Sequence, residues 1–185
     1  LAATTTDGTD VVAGLKIDAG AAVSTLSNYG TIRGAAAGGT ATTYGVRDLS
    51  GGLTTIQNYR IIDSFVAADS DGNNTGSATA IDVSVNTTGV NFLQDGVVSS
   101  TPLTSGDADG DGVLDTLEPS VLGAIRFGSG DDVADIRNGL VAGDISFGAG
   151  ADQLLISGGA VVQGAITDAD GQLDISVTNG ILSAS

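Results

Sequence analysis

Hydrophobic residues recur along this chain in short alternating runs, and glycine-rich turns separate the runs. Three copies of a first run and three of a second alternate in the C-terminal third, where they begin at Ile125, Ile136, Ile145, Ile156, Ile166 and Val177. The first runs start 20 and 21 residues apart. Self-similarity at such a period is typical of solenoids, in which each repeat contacts only its neighbours. The pattern predicts a rung made of two short strands with glycine turns between them.

The same template extends to the N-terminus and gives about six rungs. One buried column is expected to hold the anchors Ile17, Val46, Ile81, Ile125, Ile145 and Ile166. The 29 glycines and the alternation of Val, Ile and Thr favour strands and turns over helices. We therefore expect one all-β domain over residues 1–185, a parallel β-helix (β-solenoid) with side insertions. The unequal spacings predict that the insertions leave at one corner, the longest covering 99–124.

Two further rows follow from the template. The residues that follow the first four anchors alternate in charge: Asp18, Arg47, Asp82 and Arg126. This alternation predicts that opposite charges stack across neighbouring strands. The alternative is a chance order of charges on a solvated face. Four asparagines share one position before a turn, where they are expected to stack: Asn28, Asn58, Asn138 and Asn179.

The charge and composition of the chain exclude several classes of partner and site. The chain has 22 acidic and 6 basic residues, a net charge of −16, which disfavours nucleic acid and makes divalent cations natural partners. It has no cysteine, so disulfides, thiolate zinc sites and thiol catalysis are excluded. No apolar run of membrane-spanning length and no leader are visible in the sequence, and we expect neither a membrane span nor a signal peptide here.

One segment carries a chemical motif. Residues 107–118 match the calcium-loop pattern D-x-D-x-D-G-x5-E at every specified position. Ca²⁺ prefers six to eight oxygen ligands, and this spacing supplies carboxylates, one backbone carbonyl and a sharp turn at Gly112. The expected ligands are Asp107, Asp109, Asp111, the carbonyl of Val113, Asp115 and Glu118. The alternative is an acidic loop with accidental spacing. A second acidic segment, 69–74, departs from the pattern and is interpreted as a turn-rich loop.

The run Leu26-Ser-Asn-Tyr-Gly-Thr-Ile-Arg-Gly and the Phe-Gly-x-Gly-x-Asp blocks resemble the passenger domains of bacterial autotransporters. The resemblance covers nearly the whole chain and implies a right-handed β-helix that is exported and displayed or released outside the cell. The motif at 107–118 resembles an EF-hand loop, although no helix-forming sequence precedes it. The blocks that end at Asp132 and Asp152 also resemble fragments of calcium-binding nonapeptide repeats. We interpret these two aspartates as surface turn residues, with a role in holding an ion as the alternative.

The sequence lacks most of the side chains that enzymes use for acid–base and nucleophilic catalysis. There is no His or Cys, Lys16 is the sole lysine, and Glu118 is the sole glutamate. The chain is therefore expected not to be an enzyme, and the alternative is a β-helix lyase or glycosidase that acts on polysaccharide with aspartates. We expect an extracellular or cell-surface structural or adhesive protein that Ca²⁺ stabilises. Its expected partners are copies of itself stacked end to end, neighbouring rungs of a longer passenger, or a surface glycan or receptor.

Overall fold

In the computed structural model, residues 2–5 and 11–183 are described, and they form three parallel sheets, A, B and C. Every strand pair is parallel, and the chain visits the sheets in the repeating order B, C, A. These residues include no helix, and hence none of the length and hydropathy that a membrane span requires. The arrangement is all-β and consistent with a β-solenoid.

Sheet A has seven strands, and sheets B and C have six strands each. Sheet A contains β1 (Ala2–Thr5), β4 (Thr31–Ala37), β7 (Ile61–Ala67), β10 (Ser120–Leu122), β13 (Leu140–Ala142), β16 (Val161–Gln163) and β19 (Ile181–Ser183). Sheet B contains β2 (Val11–Ile17), β5 (Thr42–Asp48), β8 (Ser77–Asp82), β11 (Ala124–Arg126), β14 (Ile145–Ser146) and β17 (Ile166–Thr167). Sheet C contains β3 (Thr25–Asn28), β6 (Thr55–Asn58), β9 (Asn91–Gln94), β12 (Val133–Ile136), β15 (Asp152–Ser157) and β18 (Leu173–Thr178).

A rung is one pass through sheets B, C and A, and β2 to β19 make six such passes. The number of rungs agrees with the prediction, but each rung has three strands and not two. The second sequence run is split by a turn, as between β12 and β13, where Gly139 has a φ of 70°. Asn138 and Gly139 suit such a turn because Asn and Gly tolerate unusual backbone conformations.

The inward column of sheet B contains five of the six predicted anchors, of which four are fully buried and the last, Ile166, is partly buried. Backbone register joins Val46, Ile81, Ile125, Ile145 and Ile166 in that order. The prediction for the first rung is wrong, because Leu15 pairs with Val46 while Ile17 pairs with Asp48. Leu15 and Ile17 lie two residues apart and so share a strand face, and hydrophobic alternation cannot choose between them.

The predicted row of alternating charges is wrong at its first member, Asp18, and its other three members are paired in register as predicted. Lys16, and not Asp18, is the register partner of Arg47, so two cations are adjacent at the first step of the row. Arg47 and Arg126 both pair in register with Asp82, but no salt bridge within residues 11–183 joins these three side chains to one another. The error has the same origin as the one at Ile17, a shift of two residues in the first rung.

Buried amides stack in sheet C, but the set differs from the predicted one. Asn28 Nδ2 donates to Asn58 Oδ1 at 2.8 Å, and Asn58 Nδ2 donates to Gln94 Oε1 at 3.1 Å. The three side chains are at most 5% exposed. In rungs 4 to 6 this column holds Ile136, Ile156 and Val177 instead. Asn138 and Asn179 therefore lie outside the amide ladder, because the later rungs place their asparagines after β12 and β18.

Insertions leave the stack at two corners, so the prediction of one corner is wrong. Residues 68–76 join sheet A to sheet B, whereas 95–119 join sheet C to sheet A. The sequence template had two strands per rung and therefore did not distinguish the corner between sheets C and A from the corner between sheets A and B. The last part of the predicted insertion 99–124 contains β10 and the first residue of β11.

Candidate metal centre

The loop 95–119 carries the predicted ligands and is attached to the stack at several points. Asp95 N donates to Asn58 O in rung 2 at 3.1 Å, and Arg60 Nη1 in the same rung donates to Thr116 O at 3.1 Å. Val113 is only 2% exposed and packs beside Gly96 and Asn138. The loop is therefore held against rungs 2 to 4 while its acidic turn remains accessible to solvent.

The Asp107 carboxylate organises the backbone of the acidic turn. Its Oδ1 accepts hydrogen bonds from Gly110 N at 2.7 Å and Asp111 N at 3.1 Å, and its Oδ2 accepts one from Gly112 N at 3.1 Å. Gly110 and Gly112 have φ angles of 79° and 88°, values that residues with a Cβ rarely adopt. The glycines thus permit a turn that wraps around one carboxylate.

Three of the predicted ligands are brought together. Carboxylate oxygens of Asp107, Asp109 and Asp115 lie within 4.8 Å of one another. Oxygens that bind one Ca²⁺ at about 2.3–2.6 Å can be up to about 5 Å apart, so this spacing fits a shared cation. The donors are hard oxygens, which suits Ca²⁺ better than a soft transition metal.

The other predicted ligands are placed differently. Asp111 Oδ1 accepts a hydrogen bond from Val113 N at 2.7 Å, and its Oδ2 is contacted by Asn138 Nδ2, so Asp111 is turned toward rung 4. Glu118 is partly buried beside the cluster. Burial, followed by the negative charges of Asp109, Asp111, Asp115 and Asp107, raises the pKa of its carboxyl. The negative charges of the acidic turn therefore affect Glu118, but its carboxylate does not belong to the cluster of three carboxylates.

Comparison with protein family models, curated proteins and solved structures finds no match to this chain.

The second acidic segment forms a turn between β7 and β8, as interpreted from the sequence. Asp69 Oδ1 accepts hydrogen bonds from Asp71 N at 2.9 Å and Asn73 N at 2.8 Å. Backbone hydrogen bonding, most strongly from Asn73, lowers the pKa of the Asp69 carboxyl. This carboxylate closes its own turn, which makes the segment a useful comparison for the loop at 107–118.

Asp132 and Asp152 are buried, and the prediction that they are surface turn residues is wrong. Each is 1% exposed. Asp132 Oδ1 accepts a hydrogen bond from Val90 N at 2.7 Å, and Asp152 Oδ1 accepts one from Asp132 N at 2.8 Å. The Oδ2 atom of each carboxyl is buried and has no hydrogen-bond partner. The two aspartates thus link rungs 3, 4 and 5 at the corner between sheets B and C.

Burial raises the pKa of both of these carboxyls. Loss of hydration raises the pKa of Asp132 to about 6, and the negative charges of Asp152 and Asp131 act in the same direction. Burial is also the main cause that raises the pKa of Asp152. The sequence offered one signal for this role, since both aspartates end a Gly-x-Gly-x-Asp block immediately at the start of a strand.

Proposed function

We propose that the chain is an extracellular structural or adhesive β-solenoid, a single right-handed β-helix domain that carries one Ca²⁺ loop. It has no catalytic role in this proposal. Its rungs stack against further rungs, which belong to another copy of the chain or to a longer surface-displayed passenger. The right-handed coil rests on the strong preference of parallel crossover connections for that hand.

One observation carries the structural role. Ile175 and Val177 in β18 continue the columns of Leu154 and Ile156 in β15. The two residues in β15 are at most 1% exposed, whereas Ile175 is 48% and Val177 is 45% exposed. Burying a large aliphatic side chain is worth about 1.5–3 kcal/mol, so a further rung placed on β18 would gain stability from contacts with both residues.

Electron microscopy of the purified chain tests the structural role. We expect fibres or rods longer than one chain, with a width of one rung. Replacing both Ile175 and Val177 with Lys places two charges at this edge and should leave only short single-chain rods. Replacing the outward neighbours Asp174 and Ser176 with Lys is the matched control and should have a smaller effect. Only short rods for the unmodified chain would contradict stacking between copies.

The proposed calcium site uses Asp107, Asp109 and Asp115 as its first ligands. Glu118 and Asp111 complete the shell after local rotation, together with the carbonyl of Val113. Three close carboxylates repel one another, and a bound cation removes that repulsion. Ca²⁺ supplies positive charge here and no chemistry beyond it. The expected consequence of binding is an ordered loop on rungs 2 to 4.

Calorimetry tests calcium binding directly. We expect one site for the unmodified chain and loss of that site when Asp109→Ala is combined with Glu118→Ala. The control combines Asp69→Ala with Asp71→Ala, which removes the same charge from the other acidic turn and should leave binding intact. Absence of heat with the unmodified chain, or equal loss in both double variants, would remove the calcium site from the proposal.

Calcium is expected to control the loop and assembly more than the rungs. The aliphatic column of sheet B does not include the loop, because Ile81 before the loop and Ile125 after it pair directly. Far-ultraviolet circular dichroism in excess chelator should therefore retain the strand signal, and electron microscopy of the same sample should show fewer fibres. Collapse of the strand signal in chelator would show that the ion is required for the fold itself.

A further inference from the structure

A pocket on the outer face of sheet B places two cations side by side. Lys16 and Arg47 are register partners on β2 and β5, and they line this pocket together with Val11 and Ala13. Its volume is about 300 Å³. That is the lower end of the range for small-molecule sites, which combine an apolar lining with a few polar groups.

Arg47 is held in place by an aromatic ring, and it forms no salt bridge with any residue in 2–5 or 11–183. Its Cζ lies 4.4 Å from the centre of the Tyr44 ring, which holds the guanidinium by a cation–π contact. Its Nε is buried and has no hydrogen-bond partner. A buried donor without a partner is uncommon and costs about 1–3 kcal/mol, so the guanidinium is held on the Tyr44 ring with a hydrogen bond unmade.

The carboxylates around this pocket have other partners. Asp18 forms the ion pair with Lys16 at 2.7 Å, and both side chains are at least half exposed. Asp82, the other register neighbour of Arg47, accepts hydrogen bonds on Oδ1 from Ser84 N at 3.2 Å and from Ser84 Oγ at 2.7 Å. The chain has 22 acidic residues, so it is informative that Arg47, which is half-buried, pairs with no carboxylate of the part that the structure describes.

We propose that this pocket binds the single carboxylate of a small organic acid. Arg47 donates from its two terminal nitrogens, Lys16 donates from Nζ, and Val11 and Ala13 contact the body of the ligand. A guanidinium matches the planar, two-oxygen geometry of a carboxylate. The net charge of −16 repels anions of high charge over a longer range, which favours a singly charged ligand over a polyanion.

Nuclear magnetic resonance tests this site with glucuronate as the probe, with glucose as its uncharged counterpart and acetate as the bare carboxylate. We expect glucuronate and acetate to shift the Arg47 Nε–H resonance in a saturable way and glucose to leave it unchanged. A heparin fragment should bind no more tightly than glucuronate. Arg47→Gln should weaken glucuronate binding at least about tenfold, the scale of one charge-assisted hydrogen-bond pair.

Arg126→Gln is the matched control. Arg126 belongs to the same outward row, two strands away, and it forms no salt bridge with any described residue. Its replacement should leave glucuronate binding unchanged, and circular dichroism should show that both variants keep the strand signal. No saturable shift with either carboxylate, equal affinity for glucose, equal weakening in both variants, or tighter binding of heparin would overturn the proposal.

Discussion

Asp132→Asn should stabilise the protein at neutral pH, because the native carboxyl is buried and favours its protonated form. The pKa of this group rises from 3.8 to about 6 on folding. Between pH 4 and pH 6 the folded state therefore binds more protons than the unfolded state, and the free energy of unfolding falls as the pH rises. Above pH 6 this contribution is constant. The loss amounts to at most about 3 kcal/mol, since each pKa unit corresponds to about 1.4 kcal/mol.

The amide that Asp132→Asn introduces carries no charge at any of these pH values, and its oxygen can still accept the hydrogen bond from Val90 N. The variant should exceed the native chain in stability by up to about 3 kcal/mol at pH 7.5, and the difference should shrink toward zero at pH 4. Urea unfolding followed by circular dichroism at several pH values measures this difference. Other titrating groups largely cancel when the two chains are compared.

Asp144→Asn is the control for this experiment. Asp144 is exposed, and its Oδ1 accepts a hydrogen bond from Ala165 N at 2.9 Å, so it shares the backbone contact without the burial. Its replacement should change stability by less than about 0.5 kcal/mol at every pH. If the stability difference for Asp132→Asn is independent of pH, or grows as the pH falls, the reasoning about the buried charge is refuted.

Two further predictions concern the stack. Asn58→Ala removes the central amide of the ladder and leaves the buried amides of Asn28 and Gln94 without this hydrogen-bond partner, so the free energy of unfolding in urea should fall by about 2–4 kcal/mol. The control is Gln57→Ala at the half-buried neighbouring position, which should lower it by less than about 1 kcal/mol. Ile81→Ala should cost about 2–5 kcal/mol, because Ile81 is fully buried in mid-column. Equal costs for Asn58→Ala and Gln57→Ala would argue against the ladder.

The sequence predicted the class of fold because the same interval of hydrophobic residues recurs in consecutive rungs. Ile125, Ile145 and Ile166 anchor three successive rungs of almost equal length, and the structure pairs them directly. The first rung failed because Leu15 and Ile17 satisfy alternation equally well. Register in that rung is decided by the packing of β2 on β5 over seven residues, and hydrophobic alternation within one strand does not contain that information.

The candidate site was predictable in part for a similar reason. The spacing of the acidic residues is local, so it identified the turn in which Asp107, Asp109 and Asp115 meet. The position of Asp111 depends on Asn138, which lies 27 residues away, and local spacing cannot reveal such a contact. Burial of Asp132 is likewise a property of the stack, because rungs 3 and 5 supply the atoms that surround it.

The amide ladder gives the two halves of the stack different mechanical behaviour. Asn28, Asn58 and Gln94 connect rungs 1 to 3 by side-chain hydrogen bonds, whereas the same column holds aliphatic residues in rungs 4 to 6. Under tension along the stack axis, rungs that contact only their neighbours separate one after another. Separation from the C-terminal end should therefore meet buried side-chain hydrogen bonds first between rungs 5 and 3, at Asp152 and Asp132, and then along this column from Gln94 onward, so that the stack yields in steps.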